Sequence, residues 1–312
     1  MMTGRDLLTV RELSFGEVAL ILEKAKKLKK MQKEGIPHRL LEGKTLAMIF
    51  HKASTRTRVS FEAGFAQLGG QALFLDNAAT QMGRGEPLQD TARTLARYVD
   101  GIMIRTFAQQ TVVDLAKYAD VPVINGLTDI SHPCQALADI FTAAENFGTL
   151  KNRKMVYIGD GNNVANSLMF ACVKSGMHIT LCCPEGYQVA PEQLAAAQKD
   201  AKQTGSNIIL ETDPLKAAPN ADALYTDVWA SMGQEDEAAK RKKAFKNYQV
   251  NEALIKAANK DVIVMHCLPA HRGEEITEEA IEGPHSVVFD QAENRLHVQK
   301  AIMALLMSDT DF

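Results

Sequence analysis

From Lys44 onward, strand-like and helix-like segments alternate along the chain. The alternation restarts after a long helix at Pro133–Phe147, and 312 residues suit about two domains. These observations predict an α/β fold: two doubly wound, parallel-sheet (Rossmann-like) domains joined by interdomain helices. The division falls between residues 1–148 and 149–293, and ligands are expected at the C-terminal ends of strands, in the cleft between the domains.

Val18, Ile21, Leu22, Ala25 and Leu28 recur at helical spacing, and the lysines between Lys24 and Lys33 read as the solvated face of that helix. Thr45–Phe50 reads as a buried strand, Thr55–Leu68 as a helix, Ala72–Leu75 as a strand and Pro87–Tyr98 as a helix. Gly101–Ile104 is a strand, Val112–Tyr118 a helix and Val121–Asn125 a strand. Pro133–Phe147 has proline at its first position and Gly148 just past its end, the asymmetry expected of a helix. Met155–Ile158, Val164–Ser175 and His178–Cys182 open the second run as strand, helix and strand. Further units follow through strands at Ala223–Thr226, Val262–His266 and Val287–Phe289, and Asn294–Met307 closes the chain as a helix.

Composition narrows the function classes. Hydrophobic residues make up 46% and charged residues 23%, as in a water-soluble globular protein. A formal charge of −3 argues against nucleic acid as a partner. No apolar run approaches the roughly 18 residues of a membrane span. The start of the chain has no signal or transit composition. Five cysteines, two of them adjacent at Cys182-Cys183, fit reduced thiols in the cytoplasm better than a disulfide framework.

The chemistry-bearing residues gather where strands end. Ser54-Thr55-Arg56-Thr57-Arg58 lies between a strand and a helix, with Ser54 a good N-cap. Free N–H groups, the positive end of the helix dipole and two arginines favour an anion there, although Gly-x4-Gly-Lys is absent and this is no Walker loop. Arg105 follows a strand, and His132-Pro133-Cys134-Gln135 opens the long helix, so His132 and Gln135 can face the same cleft. Gly159-Asp160-Gly161-Asn162-Asn163-Val164 begins like a dinucleotide fingerprint but has Val164 at the third glycine and no well-placed acidic residue downstream. It reads as a turn without NAD, with Asn163 a candidate polar contact. Asp227-Val228-Trp229-Ala230-Ser231-Met232-Gly233 carries a carboxylate, a hydroxyl and the only tryptophan. His266, Cys267 and His271 raise the question of zinc, but no metal-ligand spacing accompanies them, so Cys267 reads as a polarisable group lining the cleft.

In this order and spacing, and with Gln81-Met82-Gly83-Arg84-Gly85-Glu86-Pro87 and Arg295 added, these motifs resemble the aspartate/ornithine carbamoyltransferase family over nearly the whole chain. The resemblance implies a carbamoyl phosphate domain and an ornithine domain, with the last helix, residues 294–312, packing back on the first. It implies homotrimers or multiples of trimers with Gln81 reaching a neighbouring subunit's site. The segment Ser231-Met232-Gly233 points to ornithine rather than aspartate, which would need cations for a second carboxylate. One departure is His51, where relatives often carry Glu. It bears on how the arginines are oriented.

The reaction so implied is attack of an amine on the carbonyl carbon of carbamoyl phosphate, with phosphate leaving. Ser54, Thr55, Arg56, Thr57, Arg105 and, by resemblance, Gln81 and Arg295 would hold the phosphate. Thr57, Arg105 and His132 are candidates to stabilise the oxyanion. Gln135 and the backbone carbonyls of Cys267 and Leu268 would accept from the carbamoyl –NH2, aided in relatives by a cis Leu268–Pro269 bond. Asn163, Asp227, Ser231 and the Met232 amide would hold the α-groups of ornithine, aiming its δ-amine at Cys267, with Asp227 and Cys267 easing deprotonation. No metal or organic cofactor is needed, because the leaving group is already activated. The rivals are an NAD oxidoreductase, a non-catalytic binding protein, and transferases acting on acetylornithine, putrescine or aspartate.

Overall fold

The computed structural model describes residues 2–230, 235–310 and 312. Two compact units emerge, Met1–Phe141 with Asn294–Phe312, and Thr142–Glu293. Each is a parallel sheet with helices, as the alternating pattern predicts.

The first unit runs α1 (Phe15–Lys33), β1 (Thr45–Phe50), α2 (Thr55–Gln67), β2 (Gln71–Asp76), α3 (Leu88–Leu95), β3 (Gly101–Arg105), α4 (Gln109–Tyr118), β4 (Val123–Leu127) and the start of α5 (Pro133–Phe147). A capping box between Ser14 and Glu17 fixes the start of α1. The strands pair in the order β2-β1-β3-β4, all parallel. Leu46 to Phe50 of β1 are all buried, as a parallel strand covered on both faces requires.

The second unit holds β5 (Lys154–Ile158), α6 (Asn163–Lys174), β6 (His178–Cys182), α7 (Pro191–Thr204), β7 (Ile208–Glu211), α8 (Pro214–Ala217) and β8 (Ala223–Thr226). It continues with α9 (Ala238–Ala244), α10 (Glu252–Ala257), β9 (Ile263–His266), α11 (Glu278–Glu282) and the first turns of α12 (Val288–Met307). The order is β7-β6-β5-β8-β9, again parallel. In each sheet the strand order reverses beside the first strand, between β1 and β3 and between β5 and β8. A crevice opens where neighbouring crossovers leave on opposite faces, so these are the two points where a ligand is expected.

Several sequence readings need correction. Val287–Phe289 is not a strand: only Ser286 makes an isolated bridge, to Val264, and α12 begins at Val288, well before Asn294. Arg105 is the last residue of β3 rather than the residue after it. The strand expected from Val121 starts at Val123, because Pro122 has no N–H for a ladder; its carbonyl still accepts from Ile102 N–H at 2.9 Å. The helix expected over Pro87–Tyr98 stops at Leu95 and gives way to turns. β7 is a further edge strand that the alternation did not single out.

Candidate active site

At the first reversal point, the turn after β1 feeds α2. Ser54 Oγ accepts from Thr57 N–H at 3.2 Å, and by helix geometry the N–H groups of Thr55 and Arg56 have no acceptor within the helix. Thr57 is fully buried, and its Oγ1 accepts from Arg295 Nη2 at 2.9 Å and from Ser54 Oγ at 3.1 Å. With those lone pairs engaged, the Thr57 hydroxyl proton is left to be donated elsewhere. Arg105 and His132 are buried in the same unit. Burial, with the positive charge of Arg295, Arg105 and Arg56 around it, pushes His132 well below the ordinary imidazole range. The ring is therefore neutral at neutral pH and can act as a hydrogen-bond donor without being a cation.

Gln135, on the first turn of α5, donates through Nε2 to Asp139 Oδ1 at 2.8 Å. That bond fixes the amide orientation and leaves Oε1 a buried acceptor without a partner among the described residues. Arg58 departs from the expected cationic turn: its Nε donates to Glu62 at 3.1 Å and its guanidinium lies 3.8 Å from the centroid of Phe74. Among the described residues the His51 side chain makes no hydrogen bond to Arg56 or Arg58. Its N–H donates to Arg105 O at 2.8 Å and its Nδ1 lies 2.8 Å from Thr106 Oγ1, so it braces the end of β3. Gln81 stands exposed at the start of a short 3-10 turn, Met82–Arg84, away from this cluster's hydrogen bonds.

At the second reversal point the charge is opposite. Asp227, just after β8, is buried and accepts from Asn162 Nδ2 at 2.8 Å, from Cys267 Sγ at 3.0 Å and from Val228 N–H at 2.8 Å. Cys267 is thus placed as a thiol donor to a carboxylate. Asn162 makes a second set of contacts: its Oδ1 caps α6 by accepting from Val164 N–H at 2.9 Å and Ala165 N–H at 3.1 Å. Asn163 is the first residue of α6. Sequence reasoning missed Asn162, though its place as the residue before an apolar helix is an N-cap signal. Ser231 and Met232 lie outside the described residues.

The Leu268–Pro269 peptide is cis, as the family resemblance implies, and Leu268 has φ of 56°. Both ring nitrogens of His266 are engaged, Nδ1 by Leu268 N–H at 2.8 Å and Nε2 by Glu275 at 3.1 Å, which removes it as a zinc ligand. Among the described residues no cluster of three or more His, Cys, Asp and Glu is arranged to hold a metal ion. The Gly159–Gly161 turn does not leave room for a pyrophosphate in the usual way. Gly161 N–H donates to Tyr187 O at 2.7 Å, and a Cβ at Gly161 would collide with the Val189 backbone, so the chain's own 187–189 segment fills the space. Among the described residues no helix is long and apolar enough to cross a membrane.

Comparison with known proteins adds lineage to this geometry. Residues 5–145 match the aspartate/ornithine carbamoyltransferase carbamoyl-P binding domain, and residues 151–306 match the Asp/Orn binding domain of the same family. The chain is 57% identical to the anabolic ornithine carbamoyltransferase of Pyrococcus furiosus over 311 residues, covering 100% of this chain and 99% of that one. It is 55% identical to the ornithine carbamoyltransferase of Halalkalibacterium halodurans, covering 97% and 95%. The solved structure of ornithine carbamoyltransferase from Pyrococcus furiosus superposes with a TM-score of 0.96 at 56% identity, covering 99% of each chain. The Giardia lamblia ornithine transcarbamoylase structure does so at 0.89 and 33%, also covering 99% of each.

Proposed function

The chain belongs to the aspartate/ornithine carbamoyltransferase family, and on that premise we propose that it transfers the carbamoyl group of carbamoyl phosphate to the δ-amine of L-ornithine, giving L-citrulline and phosphate. The observation that carries the chemistry is the neutral, buried His132 set among Arg56, Arg105 and Arg295 in the unit that also holds the open end of α2. Fixed cations and helix N–H groups suit a phosphate that gains charge as it leaves. A neutral imidazole suits the carbonyl oxygen, because it donates a hydrogen bond without drawing the phosphate to itself.

The remaining roles follow from donors and acceptors. The Thr57 proton and His132 donate to the developing oxyanion. Gln135 Oε1 and the Cys267 and Leu268 carbonyls accept from the carbamoyl –NH2. Ser54, Thr55, Arg56, Arg105 and Arg295 bind the phosphate. Asp227, Ser231, Met232 and Asn163 bind ornithine. Taking an alkylammonium with pKa near 10.4 to the neutral amine at neutral pH costs about 4–5 kcal/mol. The Asp227–Cys267 pair gives the ammonium a carboxylate to lie against before its proton is lost. Residues 1–148 with 294–312 serve carbamoyl phosphate, and 149–293 serve ornithine. The reaction needs no metal or organic cofactor, since carbamoyl phosphate is an activated acyl donor, so rate comes from positioning and electrostatics.

A cytoplasmic homotrimer, or a multiple of trimers, completes the proposal. Exposed Val59 and Leu73 on the β2 side of the first unit, 55% and 39% accessible, offer apolar surface for a second copy. The exposed Gln81 loop is free to reach into a neighbour. The deciding experiment offers ornithine, acetylornithine, putrescine and aspartate in parallel with carbamoyl phosphate and follows the carbamoylated product. Citrulline should dominate. Carbamoyl-aspartate, or no turnover with any amine, would overturn the reading.

A further inference from the structure

On either side of the Cys267–Pro269 segment in the chain stands one member of a buried pair that no step above uses. The side chains of His266 and Glu275 are both 0% exposed, with Nε2 and Oε1 3.1 Å apart. Leu268 N–H lies 2.8 Å from His266 Nδ1. A backbone N–H can only donate, so Nδ1 must carry a lone pair, and the ring proton is on Nε2, where Glu275 receives it. The tautomer is therefore fixed by its two partners, and the ring is neutral.

The same carboxylate oxygen also receives His271 N–H at 2.6 Å, and His266 N–H is taken by Gln291 Oε1 at 2.9 Å. Both ends of the turn from His266 to His271 are thus tied to Glu275. Leu268 needs such a tie, because its φ of 56° is a left-handed value that is strained for a residue with a side chain. The hydrogen bond that His266 accepts is made by the N–H of that same strained residue.

We infer that His266 and Glu275 are positioning residues of the transfer: they hold the Cys267–Leu268 backbone so that the Leu268 carbonyl and the Cys267 thiol keep a fixed aim. What the carbonyl is aimed at rests on the carbamoyl-transfer reading; the tautomer and the hydrogen bonds do not. Glu275 acts through its oxygen as an acceptor, not through charge, since its ring partner is neutral. His266 acts as an acceptor two residues ahead of the donor, a geometry an asparagine can imitate.

The test uses the full chain in four variants, with citrulline kinetics, thermal melts and 15N-histidine NMR. His266→Leu should lower kcat about 100-fold with a much smaller change in KM, as expected when reacting groups are misaimed rather than lost. His266→Asn should recover about tenfold of that loss, because its Oδ1 can take the Leu268 N–H. Glu275→Leu should resemble His266→Leu, while Glu275→Gln should stay within about threefold of wild type, its Oε1 serving both donors. NMR of the wild type should find His266 neutral with the proton on Nε2. Wild-type kcat in folded His266→Leu, no recovery in His266→Asn, or an imidazolium at His266 near neutral pH would each overturn the inference. Should His266→Leu or Glu275→Leu fail to fold, the conservative variants and the NMR still decide it. A wild-type chain that makes no citrulline sinks the activity instead, and the tautomer then tests the pair by itself.

Discussion

The ends of β1 and β5 are built alike and charged oppositely. Each strand ends at the reversal point of its sheet and feeds a helix with a side-chain cap, Ser54 for α2 and Asn162 for α6. At α2 the cap spends its oxygen on Thr57 N–H, and the surrounding charges are the cations Arg56, Arg105 and Arg295. At α6 the cap also donates Nδ2 to Asp227, so a carboxylate of the chain already lies beside the positive end of the helix. One site gathers cations and suits an anion; the other holds a carboxylate and suits a cation. The fold fixes where a ligand sits, and a few side chains after each strand decide which sign of charge it carries.

The comparison breaks first if the α2 end is not an anion site. Arg56→Ala should cost about 3–4 kcal/mol in kcat/KM, roughly the loss of one preorganised charged donor, with KM for carbamoyl phosphate raised and KM for ornithine little changed. Steady-state kinetics with each substrate varied would check this, and a near wild-type profile in folded protein would refute it.

That contrast was partly legible in the sequence. β1, α5 and β6 carry their boundaries in the pattern, because buried apolar runs and terminal proline or glycine are local signals. β7 was not visible: Ile209 and Leu210 are both exposed on a four-residue edge strand, so no alternation marks a face. Val287–Phe289 looked like a strand because its apolar run is short, whereas the backbone after the Ser286 bridge turns into α12. The anion turn could be read from adjacent residues, but Arg58 was grouped with it because sequence cannot say that Phe74 and Glu62 capture its side chain. The bonds from Asn162 to Asp227 and from His266 to Glu275 join residues on different elements or around a turn, and no periodicity encodes them.

Cys267 sharpens the cation side. Its thiol donates to Asp227, so the variant that matters is the one without a donor. Cys267→Ala should raise KM for ornithine about tenfold, near the value of one hydrogen bond to a charged group, while Cys267→Ser, which keeps an O–H, should lose less. KM for carbamoyl phosphate should move little in either. A carbamoylated Cys267 trapped by mass spectrometry during turnover would show instead that the thiol is a covalent nucleophile. A smaller effect is expected at Asn162. Asn162→Ala removes a helix cap and one of the Asp227 bonds, so stability should fall by about 1 kcal/mol and KM for ornithine should rise about fivefold. Unchanged ornithine KM with a lowered Tm would mean that Asn162 serves α6 alone.

The smallest effect concerns buried cations rather than turnover. In the second unit, Arg241 pairs with Asp160 at 2.7 Å and Lys174 with Asp200 at 2.8 Å. In the first, fully buried Lys300 on α12 meets, among the described residues, only neutral acceptors: His38 Nε2 at 2.6 Å, Gln67 Oε1 at 2.9 Å and Gln32 Oε1 at 3.3 Å. Burial and the charge of Lys300 lower the pKa of His38, against the bond of its Nδ1 to Ile36 O at 2.8 Å, which puts the ring proton on Nδ1 and leaves Nε2 to accept. Desolvation without a counter-charge pushes Lys300 from 10.5 down to about 8. Between those two values the unfolded chain binds the proton and the folded chain releases it, so unfolding takes up protons and stability from this group rises with pH across that window. Below it, both states are charged and the full desolvation penalty is present. Wild-type Tm should therefore gain on Lys300→Met as pH is raised from about 7 to about 10, with kcat similar in the two proteins at neutral pH. Parallel Tm curves for the two proteins would mean that Lys300 titrates as an ordinary lysine. The first unit would then carry its buried cations at no more cost than the second.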